Sequence, residues 1–303
     1  MGIDAIILVL VSVSMHATWN FLSKKSTSSA AFFCISSFTA ALCWIWALFV
    51  YGMPADSLQF KGLCLWGCSL LFETIYFVGL FNAYSRVDMS LAYPVARALP
   101  VLLVAGVTAI IYPGRYPNGW GFLGLLIVCC GCLLMPLKKF SDFSLKNYFN
   151  KAMLFIVLAA VGTTGYTIND SILVKICASS PGHDSLTAAY LVSFVINFGL
   201  GCTMAMIVIF RKKERENFKH LVSSFREAVY PAVAGILSSL AYLLILLAMM
   251  RTTQLSFLQA FRQMSLPIGL MLGIFILKEP AYRPKLAGCA MIVTGLVVIA
   301  FLG

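Results

Sequence analysis

Charge is scarce in this sequence. Lysine, arginine, aspartate and glutamate together make up 11% of its 303 residues, against about 25% in an ordinary soluble domain. That scarcity excludes a large water-exposed domain. Histidine occurs only as His16, His183 and His220, far apart in sequence, and there is no HExxH and no run of clustered carboxylates. The usual groups for metal or acid–base catalysis are therefore not assembled by any local motif. No GxxxxGK[ST] loop is present, so ATP is not the direct energy source of whatever work the chain does. The N-terminus, MGID, has no basic n-region, and no small-residue cleavage site follows the first apolar run, so the first helix is expected to be retained. It also lacks the hydroxyl residue that an N-myristoylation signal needs. These absences lead us to expect no enzyme, no cofactor and no bound metal.

What is abundant is apolar surface: 61% of residues are hydrophobic. Ten apolar segments, at 4–22, 30–51, 62–84, 90–112, 118–137, 152–175, 186–210, 229–249, 254–277 and 283–302, each approach the 20 or so residues that a bilayer-spanning helix needs. The expectation is an all-α polytopic membrane protein of ten transmembrane helices, multi-pass in a plasma or inner membrane, as a monomer or homodimer. Ten cysteines lie almost wholly inside these segments. Cys129, Cys130 and Cys132 have no histidine or carboxylate nearby to complete a tetrahedral metal set, and cysteine packs well as a small apolar residue.

The formal net charge of +11 sits mostly in short loops, which points to a lipid bilayer rather than nucleic acid as the partner. Two connections are longer. Residues 138–151 form a basic linker. Residues 211–228 carry Phe218, Leu221, Val222 and Phe225 at helical spacing beside many basic residues, the pattern either of a surface amphipathic helix or of a solvated loop. The loops after the odd-numbered segments, counted with the segment ends that border them, hold 16 lysines and arginines and the others, counted the same way, hold four. By the positive-inside rule the heavy side is cytoplasmic and both termini lie outside.

The two halves share a layout. RVDMSLAYPVARALPVLLVAGV and TQLSFLQAFRQMSLPIGLMLGI are each followed by a proline-rich connection and a helix with two glycines seven apart, Gly124 and Gly131 in one, Gly288 and Gly295 in the other. Pro100 corresponds to Pro267, Gly106 to Gly273, Pro113 to Pro280 and Pro117 to Pro284. Five helices per half is an odd number, so the second half enters from the opposite face. Residues 1–137 and 152–303 are thus read as inverted repeats, a plan that puts a solute site near the midplane.

Arg97 lies between Pro94 and Pro100 inside an apolar run, and Arg262 stands near the equivalent place in the second half. A charge at bilayer depth costs about 2.5–3.5 kcal/mol on translocon scales, so it must face protein or a water-filled cavity. The pair suits an anionic group; the alternative is that Arg97 pairs with an internal carboxylate to hold helices together. Further candidates for binding solute are His16 and Asn20, four apart on one helix face, Glu73 and Tyr76, Tyr93, Asp170 beside Asn169, and Gln263, which with Gln259 flanks Arg262. Glu73, Asp170 and His16 are also candidates for proton coupling. Tyr84, Tyr166 and Tyr242 could wall a cavity, whereas Trp44, Trp46 and Trp120 read as interface anchors or packing.

HATWNFLSKK (16–25), AYPVARALPVLLV (92–104) and SLPIGLMLGIFILKEP (265–280) resemble the two repeats of the EamA family in the drug/metabolite transporter superfamily, and the resemblance runs over nearly the whole chain. It implies ten helices in two inverted five-helix repeats, a central cavity and alternating access. It also implies cytoplasmic termini, contrary to the charge count. Glu279, which closes the second repeat, has Tyr112 at the equivalent place in the first. The function expected is secondary transport of a small polar metabolite, anionic or zwitterionic, bearing for example a carboxylate, phosphate or phosphonate. Export of amines, lipophilic cations or amino acids is the alternative, and an intramembrane enzyme a remote one.

Overall fold

Apolar segments of this length leave the backbone no partner but itself, and helices result. The structure, a computed structural model, describes residues 2–26, 29–84, 89–112, 116–142, 151–278 and 280–303, without the side chains of 21, 24, 25, 84, 89–95, 151, 152, 272, 276 and 277. Its helices are α1 (Ile3–Lys25), α2 (Ala30–Leu42), α3 (Ile45–Tyr51), α4 (Phe60–Tyr84), α5 (Met89–Ile111), α6 (Gly119–Leu134) and α7 (Lys151–Ser179). They continue with α8 (Ser185–Phe210), α9 (Lys212–Val222), α10 (Phe225–Met250), α11 (Leu255–Phe261), α12 (Ser265–Leu277) and α13 (Arg283–Leu302). Among the described residues there is no strand. Among the described residues seven helical stretches are long and apolar enough to cross a membrane, and Ala96–Ile111 and Gly119–Leu134 are shorter apolar helices. The chain is an all-helical protein whose helices suit a membrane interior.

Two expected spans are interrupted. Segment 30–51 turns at Cys43 and Trp44, where Trp44 leaves helical geometry with ψ near 0°. Segment 254–277 divides into α11 and α12 around a 3-10 turn, Arg262–Met264. Pro267 supplies the reason, because it has no N–H for the carbonyl four residues back and its ring crowds that carbonyl.

The chain folds as two compact units, each drawn from both halves of the sequence. The first comprises residues 1–13, 75–164 and 251–303. Its centre is the pairing of α6 with α13, flanked by α5 and α11. Gly124 meets Gly295 and Gly131 meets Gly288, so the two helices run in opposite directions. A β-carbon built on Gly131 would lie 2.7 Å from the Gly288 carbonyl oxygen, and one on Gly288 would lie 2.6 Å from that of Gly131. Only glycine permits this approach, as small residues do generally where membrane helices touch. Asn118 caps α6 by accepting from the Gly121 amide at 2.7 Å, and its own amide donates to the Leu302 carbonyl at 2.8 Å.

The second unit comprises residues 14–74 and 165–250. Here α2 packs antiparallel on α8, with α10 beside both. The Phe38 ring covers Gly201 and lies edge-on to Phe198. Trp44 is buried rather than anchored at an interface: it stacks on Tyr190 at 4.8 Å and donates to Ser239. Trp46 and Trp120 are exposed. Within segment 211–228, residues 212–222 prove to be a packed helix rather than a solvated loop, since α9 rests on α2, α8 and α10, and Phe225 already opens α10. Of its apolar stripe only Leu221 is buried. Glu214, also buried, accepts from the Ala31 amide at 3.2 Å, placing a carboxylate at the electropositive start of α2.

α8 begins with a capping box at Asp184. Its Oδ1 accepts from the Thr187 amide at 2.8 Å and the Leu186 amide at 3.1 Å, while its own amide donates to Thr187 Oγ1 at 2.8 Å. The Thr187 amide, first among these donors, holds the carboxyl below its ordinary value. A depressed value means stability that is present above the usual carboxylate range and is lost as pH falls through the folded value. The thermal midpoint of the wild type should therefore drop between about pH 5 and pH 3 by more than that of Asp184→Asn, which keeps an acceptor but has nothing to titrate. Equal drops would exclude Asp184 as a contributor.

Candidate functional site

In the first unit the polar groups gather at the break between α11 and α12. Changing from α to 3-10 pairing and back alters which amide serves each carbonyl, and such interruptions inside a membrane helix are tolerated only where the freed groups are otherwise satisfied. Arg97 provides one partner. From α5 its Nη2 donates to the Arg262 carbonyl at 2.8 Å and to the Ser265 hydroxyl. That hydroxyl itself donates to the Arg262 carbonyl at 3.1 Å. The guanidinium of Arg262 donates through Nη1 to Gln259 Oε1 at 3.1 Å, and Gln263 Nε2 donates to the Gln259 carbonyl at 2.8 Å.

All five side chains are buried, Gln263 completely. The Nε2 bond fixes the Gln263 amide so that its Oε1 faces away as an acceptor, and among the described residues this oxygen has no partner. The Ser256 hydroxyl, on α11 and also fully buried, has none among them either. A buried acceptor left unmade costs about 1–3 kcal/mol. The break therefore combines two guanidinium groups with acceptors that invite a donor.

In the second unit the polar groups meet where α4, α7 and α10 converge. Asp170 on α7 is 0% exposed. Its Oδ1 accepts from Ser69 on α4 and its Oδ2 from Tyr242 on α10. Asn169 donates to Ser69 Oγ and to the Leu65 carbonyl, the latter at 2.7 Å. Glu73, one turn beyond Ser69, is buried as well. Gly165 lets the Phe72 ring lie directly on α7.

Elsewhere in this unit His16 and Asn20 share a face of α1. The Trp19 indole donates to His16 Nδ1 at 2.8 Å. An indole N–H can only donate, so Nδ1 accepts and the neutral ring carries its proton on Nε2. Asn20 spends its amide on the His16 carbonyl at 2.7 Å, a bond within its own helix.

Of the residues expected from sequence, Arg97, Arg262 and Gln263 thus come together, and Glu73 lies one turn along α4 from the Ser69 that bonds Asp170. His16 and Asn20 form a third group. Tyr76 is half-buried on the part of α4 that belongs to the first unit, with its ring against Phe77 at 4.8 Å. The Tyr93 side chain and Glu279 lie outside the described residues. Sequence reasoning missed Ser69, Ser256 and Ser265, and took Tyr242 only for a wall. A serine in an apolar helix looks like packing; the available signal for Ser69 was its place four residues before Glu73, on the same helix face.

No family model matches the chain, and no curated protein does. A solved structure described as "Crystal structure of protein" has a TM-score of 0.75 to this chain at 16% identity, covering 100% of this chain and 98% of that one. The two share a fold over their whole lengths.

Proposed function

We propose that this protein is a secondary transporter of the EamA type, two inverted five-helix repeats that carry a small polar solute across a plasma or inner membrane by alternating access. The observation that carries the reading is the polar break between α11 and α12. Discontinuous helices at membrane depth are where secondary transporters place solute-coordinating groups. Here the break holds two arginines and an acceptor that has no partner among the described residues. The inverted repeat is supported by the reciprocal glycine contacts of α6 and α13: glycines at equivalent places in the two halves meet in antiparallel register, as a two-fold relation between the halves requires.

The solute class follows from the groups at the break. Arg262 supplies planar donors for a carboxylate or phosphate. Gln263 Oε1 and Ser256 Oγ supply acceptors for an ammonium or hydroxyl. A zwitterion or hydroxylated anion fits both sets. Export of amines is the second reading, favoured by the two buried carboxylates Asp170 and Glu73.

A thermal-shift screen with phosphate, glutamate and ethylamine separates the two, because a solute bound only by the folded state raises its stability. Phosphate or glutamate should stabilise the wild type, and Arg262→Gln should weaken that binding about tenfold, the loss of one charged hydrogen-bonding partner. A shift with ethylamine alone, abolished by Asp170→Asn and indifferent to Arg262→Gln, would favour the amine reading.

A further inference from the structure

We propose that Asp170 takes up and releases a coupling proton through Tyr242, which passes it between the Asp170 carboxylate and Glu73; this rests on the transport reading above. Arginine keeps its charge at any working pH, whereas a carboxyl can lose its own. A carboxylate with no exposure, inside helices of membrane length, is held at high electrostatic cost unless it is well bonded or neutralised. Here it is bonded at both oxygens.

The bonds also say where a proton can go. Ser69 Oγ accepts from Asn169, which turns its hydroxyl proton toward Asp170 Oδ1. Tyr242 donates to Oδ2. Two donors suit an ionised carboxylate. A proton taken up there is best held when one of these bonds reverses, so that the neutral carboxyl donates in turn. Oδ1 is the poorer place, because Asn169 already occupies the acceptor side of Ser69 and also holds the Leu65 carbonyl. At Oδ2 the phenol is amphoteric: it can donate to Asp170 or accept from it.

Glu73 is buried one turn beyond Ser69 on the same face of α4, and Ser69 bonds Asp170, so Glu73 is taken as the phenol's second partner in the proposed path. Tyr166 on α7 is the further titratable group near Tyr242. A proton arriving on Glu73 passes to the Tyr242 oxygen while the proton of Tyr242 passes to Asp170 Oδ2. One O–H bond forms and one breaks at the phenol, no tyrosinate is left behind, and the net change is one proton moved from Glu73 to Asp170. The reverse sequence returns it.

The test uses the full chain in lipid vesicles. Infrared difference spectra between neutral and acid pH should show the carbonyl stretch of a neutral carboxyl that disappears in Asp170→Asn. In Tyr242→Phe the band should remain with its titration midpoint moved by about one pH unit, a tenfold change in proton affinity. Vesicles loaded with a pH-sensitive dye should acidify when phosphate or glutamate is added outside, and Asp170→Asn vesicles should not. An unchanged acid-induced band in Asp170→Asn would overturn the proposal. So would exchange of labelled phosphate or glutamate without acidification, or acidification replaced by dependence on sodium; either leaves transport itself standing. If no labelled solute crosses, the transport reading fails and the coupling proposal with it. Should Asp170→Asn not assemble, Tyr242→Phe decides: unchanged acidification in that variant would exclude the relay.

Discussion

Removing the hydroxyl of Ser265 is expected to destabilise the protein by about 1.5–3 kcal/mol, the range for a hydrogen bond to a charged group. Most of that loss should vanish when Arg97 is already methionine. The two partners do not depend on each other equally. The Arg262 carbonyl accepts from the Ser265 amide and hydroxyl as well as from Arg97, so it stays satisfied without the guanidinium. The buried guanidinium is the dependent party, since Ser265→Ala removes one of the acceptors to which its Nη2 donates. Leaving a buried charge under-bonded costs more than replacing both partners by apolar groups. Unfolding of the wild type, Ser265→Ala, Arg97→Met and the double variant in detergent gives the coupling directly. A coupling near zero would mean that Arg97 is not held at the break by Ser265.

The glycine contacts give a second large effect. Gly131→Ala and Gly288→Ala should each cost about 1–3 kcal/mol, the usual range for overpacking a filled interior. Each methyl would meet a facing carbonyl oxygen at under 3.0 Å, where ordinary contact begins at 3.4 Å. Because both carbonyls are backbone, neither can swing away, and the helices must separate by several tenths of an ångström. Once they have separated for the first methyl, the second meets less resistance. The double variant should therefore be less destabilised than the sum of the single changes. Agreement with the sum to within about 0.5 kcal/mol, the behaviour of independent sites, would contradict the reciprocal packing.

Much of this was legible in the sequence because membrane helices advertise themselves. The apolar lengths marked the helices, and the glycines seven apart in each half marked the surfaces that meet. The charges at depth marked Arg97, Arg262, Glu73 and Asp170, because a buried charge is costly enough to be informative wherever it occurs. What could not be read was pairing. Nothing in the chain says that Arg97 reaches a backbone carbonyl, since carbonyls occur at every residue and only the 3-10 turn singles out that of Arg262. Pro267 hinted at an irregularity without fixing its place. Ser69, Ser256 and Ser265 were invisible for the opposite reason: a hydroxyl is cheap inside a helix, where it can bond its own backbone, so its presence carries little information. The interruption at Trp44 depends on Ser239 and Tyr190, more than 140 residues away in sequence.

We propose a division of labour between the two arginines: Arg97 holds the break, and Arg262 beside it binds solute. Counterflow in proteoliposomes tests this most directly, with labelled phosphate and glutamate exchanged against the same unlabelled solute. Exchange by the wild type is expected, with a loss of about tenfold or more at limiting solute in Arg262→Gln when rates are compared per folded protein. Exchange at the wild-type rate in Arg262→Gln, or no exchange of either solute by the wild type, would contradict it.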